Sequence, residues 1–110
     1  MKVIISNKAW LDIASIFEYI RDVLENHSAT DKTVEKIIAK IEHLETFPNM
    51  GQTVETATGL PTSYRVLYVE NYLIFYVTTN TKIIIHRILY ARRSFLDILF
   101  DNHDEVNPKN

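Results

Sequence analysis

The sequence predicts one α+β domain, in which helices and strands occupy separate parts of the chain. Residues 8–45 carry two stretches of apolar residues at helical spacing, and residues 64–90 carry three β-branched and aromatic runs joined by short turns. The chain has 110 residues, 46% of them hydrophobic, and no cysteine. That length suffices for one hydrophobic core, and the lack of cysteine excludes a disulfide scaffold and a thiolate metal site. We expect residues 1–100 to form the domain and residues 101–110 to form a polar acidic tail.

The first elements are predicted to be a strand and a helix. The run 2–6 is short and β-branched, and Ser6 or Asn7 can cap the helix that follows. Residues 8–25 place one apolar stripe toward the core, with Asp12 off the stripe and solvated. The stripe consists of Trp10, Ile13, Phe17, Ile20 and Leu24.

A second helix is predicted from a cap at Ser28 to about Phe47, because Pro48 disfavours helical geometry in the residue before it. Its stripe consists of Val34, Ile37, Ile38, Ile41 and Leu44. Two helices joined by a short connection form an antiparallel hairpin. Residues 49–62 read as a long loop.

Three strands follow, over residues 64–69, 72–77 and 82–90, with Glu70-Asn71 as a tight turn. With the N-terminal strand they predict a mainly antiparallel four-stranded sheet, covered on one face by the helical hairpin. The pattern does not decide which face that is, since both are apolar, and an uncovered apolar face is expected to meet a partner or substrate. Residues 94–100 predict a short C-terminal helix.

The charge is unevenly distributed along the chain. The formal net charge is −2 overall, but it is −3 over residues 1–62, +4 over residues 63–96 and −3 over residues 97–110. The total excludes a broad basic surface for nucleic acid, whereas the +4 segment permits a small phosphate site.

The basic segment also carries groups that can transfer protons. Guanidinium groups bind phosphates in a bidentate manner, and Tyr and His side chains can act as acid or base. This set could support metal-free RNA cleavage, in which a base activates the ribose 2′-hydroxyl. The candidate catalytic residues are Arg65, His86 and Tyr90, and the candidate RNA-phosphate ligands are Arg87, Arg92 and Arg93.

The same residues also have a structural interpretation. Arginine pairs after a strand are commonly surface ion pairs, and a histidine within an apolar strand, such as His86, commonly has a structural role. No acidic or histidine pair has the spacing of metal ligands, so we expect no metal and no cofactor. No secretory signal and no 18-residue apolar stretch is visible, so we expect a cytoplasmic protein without membrane contact.

Several segments in this order resemble toxins of the RelE/ParE superfamily, from bacterial type II toxin–antitoxin systems. They are Ala9-Trp10-Leu11-Asp12-Ile13, Leu44-Glu45-Thr46-Phe47-Pro48, Tyr64-Arg65-Val66-Leu67, Asn71-Tyr72-Leu73-Ile74-Phe75-Tyr76 and Ile88-Leu89-Tyr90-Ala91-Arg92-Arg93. The resemblance covers roughly residues 2–95 and implies the same fold, a helical hairpin on an antiparallel sheet.

The resemblance implies two activities and one partner. Members similar to RelE cleave mRNA on the ribosome, members similar to ParE poison DNA gyrase without a nuclease site, and a cognate antitoxin inhibits both. Arg65 stands where the nucleases place an arginine that contacts the scissile phosphate, and Tyr90 stands at or near a His or Tyr position of the family.

Different residues favour each of the two activities. The Arg/Tyr/His cluster favours a ribosome-dependent mRNA endonuclease. Residues 49–62, whose only ionisable side chain is that of Glu55, favour the gyrase poison, because docking into ribosomal RNA depends on phosphate neutralisation. A third alternative is an inactive toxin that only regulates its own operon.

Overall fold

The computed structural model of the chain describes residues 1–23, 27–58 and 62–91. The strands are β1 (Lys2–Ile5), β2 (Gln52–Thr53), β3 (Arg65–Val69), β4 (Tyr72–Thr78) and β5 (Lys82–Tyr90). The helices are α1 (Asn7–Glu18), which continues into a π-helical turn (Tyr19–Val23), α2 (His27–His43) and α3 (Val54–Thr58). The predicted α+β class is confirmed, and the predicted helix at residues 94–100 lies outside the described residues.

The sheet has five strands in the order β1-β5-β4-β3-β2, one more than predicted. β1 runs parallel to β5, and the other neighbours are antiparallel. The extra strand β2 pairs with the start of β3 and lies, with α3, inside the predicted loop 49–62. The prediction missed β2 because a two-residue strand has no alternation that a sequence pattern can show.

Ser6 caps helix α1 and is one of the two caps that the sequence predicts. The Ser6 hydroxyl accepts a hydrogen bond from the Ala9 N–H at 3.0 Å and donates one to the His86 carbonyl at 2.9 Å. The Ser6 N–H also donates to the Ile85 carbonyl at 3.0 Å, which continues the β1–β5 pairing by one residue. One serine therefore fixes both the start of α1 and its position beside β5.

The buried face of α1 keeps Ile13 of the predicted stripe, and Ile20 just after the helix is also buried, but Ala9 and Ile16 are buried in the places predicted for Trp10 and Phe17. Ala9, Ile13 and Ile16 are buried, whereas the side chain of Trp10 is 52% exposed. The prediction of a core Trp10 is therefore wrong. Ala9 is fully buried, and a small side chain at that position lets the helix backbone approach the sheet closely. The stripe of α2 is confirmed, with Ile37, Ile41 and Leu44 buried at 0–3% exposure.

The sheet carries a hydrophobic cluster on each face. The helices pack on Leu67, Val69, Tyr72, Ile74, Tyr76, Ile83, Ile85 and Ile88. The opposite cluster consists of Val54, Val66, Leu73, Phe75 and Leu89, with Tyr64 packed against it. The residues of this second cluster are at most 5% exposed, so the prediction of an uncovered apolar sheet face is wrong.

A β-bulge in β5 breaks the simple alternation of its side chains. Phe75 pairs with Arg87 while Tyr76 pairs with Ile85, so His86 is the additional residue. Ile85 and Ile88 consequently lie in the same cluster, although strict alternation would place them on opposite faces. Among the described residues, no helix is long and apolar enough to cross a membrane.

Candidate functional site

Arg65 lies at the start of β3, where it contacts the backbone of the segment that follows α2. Its guanidinium Nη1 donates to the Gly51 carbonyl at 2.6 Å and lies 3.5 Å from the Asn49 carbonyl. This guanidinium is therefore oriented by backbone carbonyl groups of its own chain.

The buried hydroxyl of Tyr76 holds the same segment from inside. It donates to the Pro48 carbonyl at 2.9 Å and accepts the Gly51 N–H at 2.8 Å. A Cβ atom at Gly51 would lie 2.7 Å from the Tyr76 hydroxyl oxygen and 2.9 Å from the Val66 carbonyl oxygen. Only glycine therefore fits at position 51 without a shift of the strand backbone.

Arg87 forms an ion pair with Asp12 of α1. Arg87 Nε and Nη2 donate to the two carboxylate oxygens at 2.8 and 2.9 Å, and the side chains are only 19% and 13% exposed. Asp12 was predicted to be solvated. That prediction is wrong because α1 crosses β5 just beyond the end of β1, which places Asp12 at the open edge of the strand.

His86 lies at the bulge, beside Tyr64. The two rings are 5.1 Å apart with 39° between their planes. Burial, and then the positive charges of Arg87 and Lys8, lower the pKa of His86, while burial raises the pKa of Tyr64. The imidazole is therefore held toward its neutral form, which can accept a proton.

Tyr90 lies at the far end of β5, where its ring meets that of Tyr72 at 5.8 Å in an edge-on arrangement. Arg65 pairs with Tyr76, which in turn pairs with Ile85, five residues before Tyr90 along β5. At about 3.3 Å per residue, the backbone positions of Arg65 and Tyr90 are roughly 15 Å apart along the strand direction. The two side chains contact different parts of the chain, Arg65 the Gly51 carbonyl and Tyr90 the Tyr72 ring.

The predicted residues thus lie in three places among the described parts of the chain. Arg65 contacts the segment after α2, and His86 lies beside Tyr64. Arg87 and Tyr90 line one groove, in which Arg87 is ion-paired with Asp12 of α1. Arg92 and Arg93 lie outside the described residues. Within the described ranges, no group of three or more acidic or histidine side chains could hold a metal ion.

The groove beside Tyr90 has a volume of about 900 Å³ and runs between α1 and the ends of β4 and β5. Tyr19, Tyr72 and Tyr90 line it, together with Glu70 of the β3–β4 turn. Sequence analysis missed this groove. The available signal was Glu70, the one acidic residue in the basic segment.

Comparison with known proteins finds a matching family model and similar solved structures. A family model described as the ParE toxin of the type II toxin–antitoxin system parDE matches residues 3–95. A solved structure described as the chromosomal ParDE toxin–antitoxin system from P. aeruginosa superposes with a TM-score of 0.70 at 22% sequence identity. The match covers 84% of this chain and 97% of that chain, and it establishes similarity of fold. No curated protein matches significantly in sequence.

Proposed function

The chain belongs to the ParE family of toxins from type II toxin–antitoxin systems, and from this premise we propose that it poisons DNA gyrase by protein contact. A cognate antitoxin binds the toxin and neutralises it. This reverses the preference that the Arg/Tyr/His cluster of the sequence gives to an mRNA endonuclease.

The observation that carries the proposal is the separation of the candidate catalytic groups. Metal-free RNA cleavage needs a base, an acid and a phosphate-binding cation around one phosphodiester. Here Arg65 and Tyr90 are separated by roughly 15 Å along the strands, and the charge of Arg87 is paired with Asp12. A poison that acts by protein contact needs no such cluster.

The charge distribution supports the same proposal. Docking into ribosomal RNA requires several phosphates to be neutralised by basic side chains. The chain has a formal net charge of −2, and one arginine of its basic segment is held in an ion pair. Contact with a protein surface makes no comparable demand for positive charge.

One observation favours the nuclease as a second candidate function. The lowered pKa of His86 leaves a neutral imidazole beside the Tyr64 ring, which is the protonation state of a general base. A nuclease built on this pair would need its phosphate-binding cations from elsewhere than Arg87.

Two assays on the purified toxin separate the candidates. In the first, gyrase supercoils a relaxed plasmid, and we expect the toxin to inhibit it and trapped double-strand breaks to accumulate. In the second, ribosomes translate a labelled mRNA, and we expect the message to stay intact. Addition of the antitoxin should restore supercoiling. Ribosome-dependent cleavage with normal supercoiling would contradict the proposal.

Two conservative variants strengthen this comparison. His86→Gln and Tyr90→Phe each remove one proton-transfer group that the nuclease needs. We expect both variants to inhibit gyrase at the same concentration as the wild-type toxin does. An mRNA cleavage activity that disappears in either variant would assign the chain to the nuclease instead.

A further inference from the structure

The groove between α1 and the strand ends is lined by three tyrosines, and we refer to it as the tyrosine groove. Tyr19 is 49% exposed and Tyr90 is 39% exposed, while Tyr72 forms the floor at 9% exposure. Burial raises the pKa of Tyr72, and the neighbouring Tyr90, Tyr19 and Glu70 raise it further. The groove therefore presents a large, partly exposed aromatic surface, which is typical of protein-binding sites.

Glu70 at the rim of this groove has a strained backbone. It is the first residue of the two-residue turn between Val69 and Tyr72, and its φ is 53°. Glycine or asparagine adopts this conformation more readily than glutamate. A strained residue that carries a charge at the rim of a groove indicates a functional constraint on that charge.

The contacts of Glu70 leave its carboxylate able to change partners. It accepts hydrogen bonds from Lys36 Nζ at 2.6 Å and from the Thr33 hydroxyl at 3.2 Å. In this ion pair the side chain of Glu70 is 39% exposed and that of Lys36 is 60% exposed. Exposed pairs of this kind contribute little stability, so an incoming cation can replace Lys36 at small cost.

The charges around the groove determine which kind of side chain fits it. Among the described residues, the charged groups that line it are Asp12, Arg87 and Glu70, and the first two neutralise each other. The third is the carboxylate of Glu70, next to electron-rich phenol rings. Its partner Lys36 lies outside the lining of the groove, in an exposed pair that an incoming cation can replace. The carboxylate and the rings both attract a cation, and a guanidinium or ammonium group over a tyrosine ring is a favourable contact.

We propose that the tyrosine groove binds an arginine or lysine side chain of the cognate antitoxin, with the cation between the exposed tyrosine rings and the carboxylate of Glu70. Apolar residues that flank this cation in the antitoxin pack on Tyr72 and Ile16 at the floor. The inference rests on the antitoxin pairing of the proposed function and does not depend on gyrase as the target.

The test measures the dissociation constant between the toxin and the full-length antitoxin of the same module by isothermal titration calorimetry. Glu70→Gln and Tyr90→Ala should each weaken binding by about tenfold. The matched control is Lys36→Gln, which breaks the same internal ion pair but keeps the negative charge of Glu70. It should bind as tightly as the wild type or more tightly. Thermal unfolding of each variant confirms that it is folded.

A charge exchange then identifies the antitoxin residue. Glu70→Lys should weaken binding more than Glu70→Gln does, because it places a like charge beside the incoming cation. Replacing the contacting arginine or lysine of the antitoxin by glutamate should restore the affinity of this variant. Replacement of other basic antitoxin residues should not.

Three results would overturn the proposal. Wild-type affinity in both Glu70→Gln and Tyr90→Ala would show that the groove does not bind the antitoxin. Equal weakening by Glu70→Gln and Lys36→Gln would reduce Glu70 to a structural role. Loss of gyrase inhibition in these variants with unchanged antitoxin affinity would assign the groove to gyrase.

The wild-type chain tests the premise separately. If it binds no antitoxin, the pairing on which the inference rests is refuted. If it binds the antitoxin but does not inhibit gyrase, the affinity measurements still decide the inference.

Discussion

Asp12 of α1 accepts hydrogen bonds from two nitrogens of the Arg87 guanidinium, at 2.8 and 2.9 Å, and from the backbone N–H of Ile88 at 2.8 Å. Strand β1 ends at Ile5, opposite Ile85, so the edge of β5 beyond that point has no β1 partner. The carboxylate of Asp12 takes the place of a strand there and satisfies a backbone donor. Arg87 therefore joins the helix layer to the sheet.

We expect Asp12→Ala to destabilise the fold strongly. The change leaves a mostly buried guanidinium and the Ile88 N–H without their carboxylate acceptor, which should cost about 3 kcal/mol. Urea denaturation followed by circular dichroism measures this loss. Arg21→Gln serves as the control. Arg21 pairs with Asp22 on the exposed surface, so this substitution should change the urea midpoint little. A small effect of Asp12→Ala would mean that the pair contributes little to the fold.

The cap at Ser6 predicts a smaller loss. Ser6→Ala removes the acceptor of the Ala9 N–H and the donor to the His86 carbonyl, and caps of this kind contribute about 1 kcal/mol. The same change at the exposed Ser15, inside α1, should leave stability equal or slightly higher, since alanine favours helix. Equal free energies of unfolding for the two variants would contradict the capping role.

Tyr76→Phe tests the attachment of the segment after α2. The phenol is fully buried, and its removal leaves the Pro48 carbonyl and the Gly51 N–H without their side-chain partner. We expect a loss of about 2 kcal/mol in the free energy of unfolding. Tyr68→Phe, at a tyrosine that is 62% exposed, is the matched control and should be neutral. Amide hydrogen exchange at Gly51 should accelerate only in Tyr76→Phe.

His86 predicts how stability changes with pH. The fold holds its pKa below the ordinary value of 6.5, so the unfolded chain takes up this proton first as the pH falls. The contribution of His86 is therefore favourable above about pH 6.5 and is lost progressively below it. The free energy of unfolding of the wild type should decline between pH 7.5 and 5.5. The decline should be smaller in His86→Gln and unchanged in His43→Gln, at an exposed histidine. An unchanged slope in His86→Gln would contradict this assignment. Glu70, whose pKa is lowered from 4.5, contributes throughout this range, and its contribution is lost only at lower pH.

Helix α2 and the long strands follow directly from local sequence. In α2 and the turn that follows it, the spacing of Ile37, Ile41 and Leu44 selects one face, and the structure buries all three. The β-branched and aromatic runs predict β3, β4 and β5 within about one residue at each end. Local pattern suffices here because each of these elements has an unambiguous hydrophobic period.

Helix α1 shows where local pattern is insufficient. Both the stripe with Trp10 and the stripe with Ala9 and Ile16 have helical spacing, so the sequence allows two slightly different orientations of the helix. The structure selects the second, which brings Asp12 to the edge of β5. The choice depends on a strand 75 residues away along the chain, and no local window contains it.

The sequence by itself determined the α+β class, the helical hairpin, the antiparallel meander and the resemblance to toxin families, because these depend on local periodicity and on short segments in a particular order. Only the tertiary structure decided the use of the charged and aromatic side chains. The bulge at His86 changed which side chains of β5 share a sheet face. Arg87 forms an ion pair with Asp12, and the strand register places Arg65 and Tyr90 far apart along the sheet. The structure also brought Tyr19, Tyr72 and Tyr90 to one groove beside Glu70. Distances between side chains on different elements depend on register and packing, and composition carries no information about either.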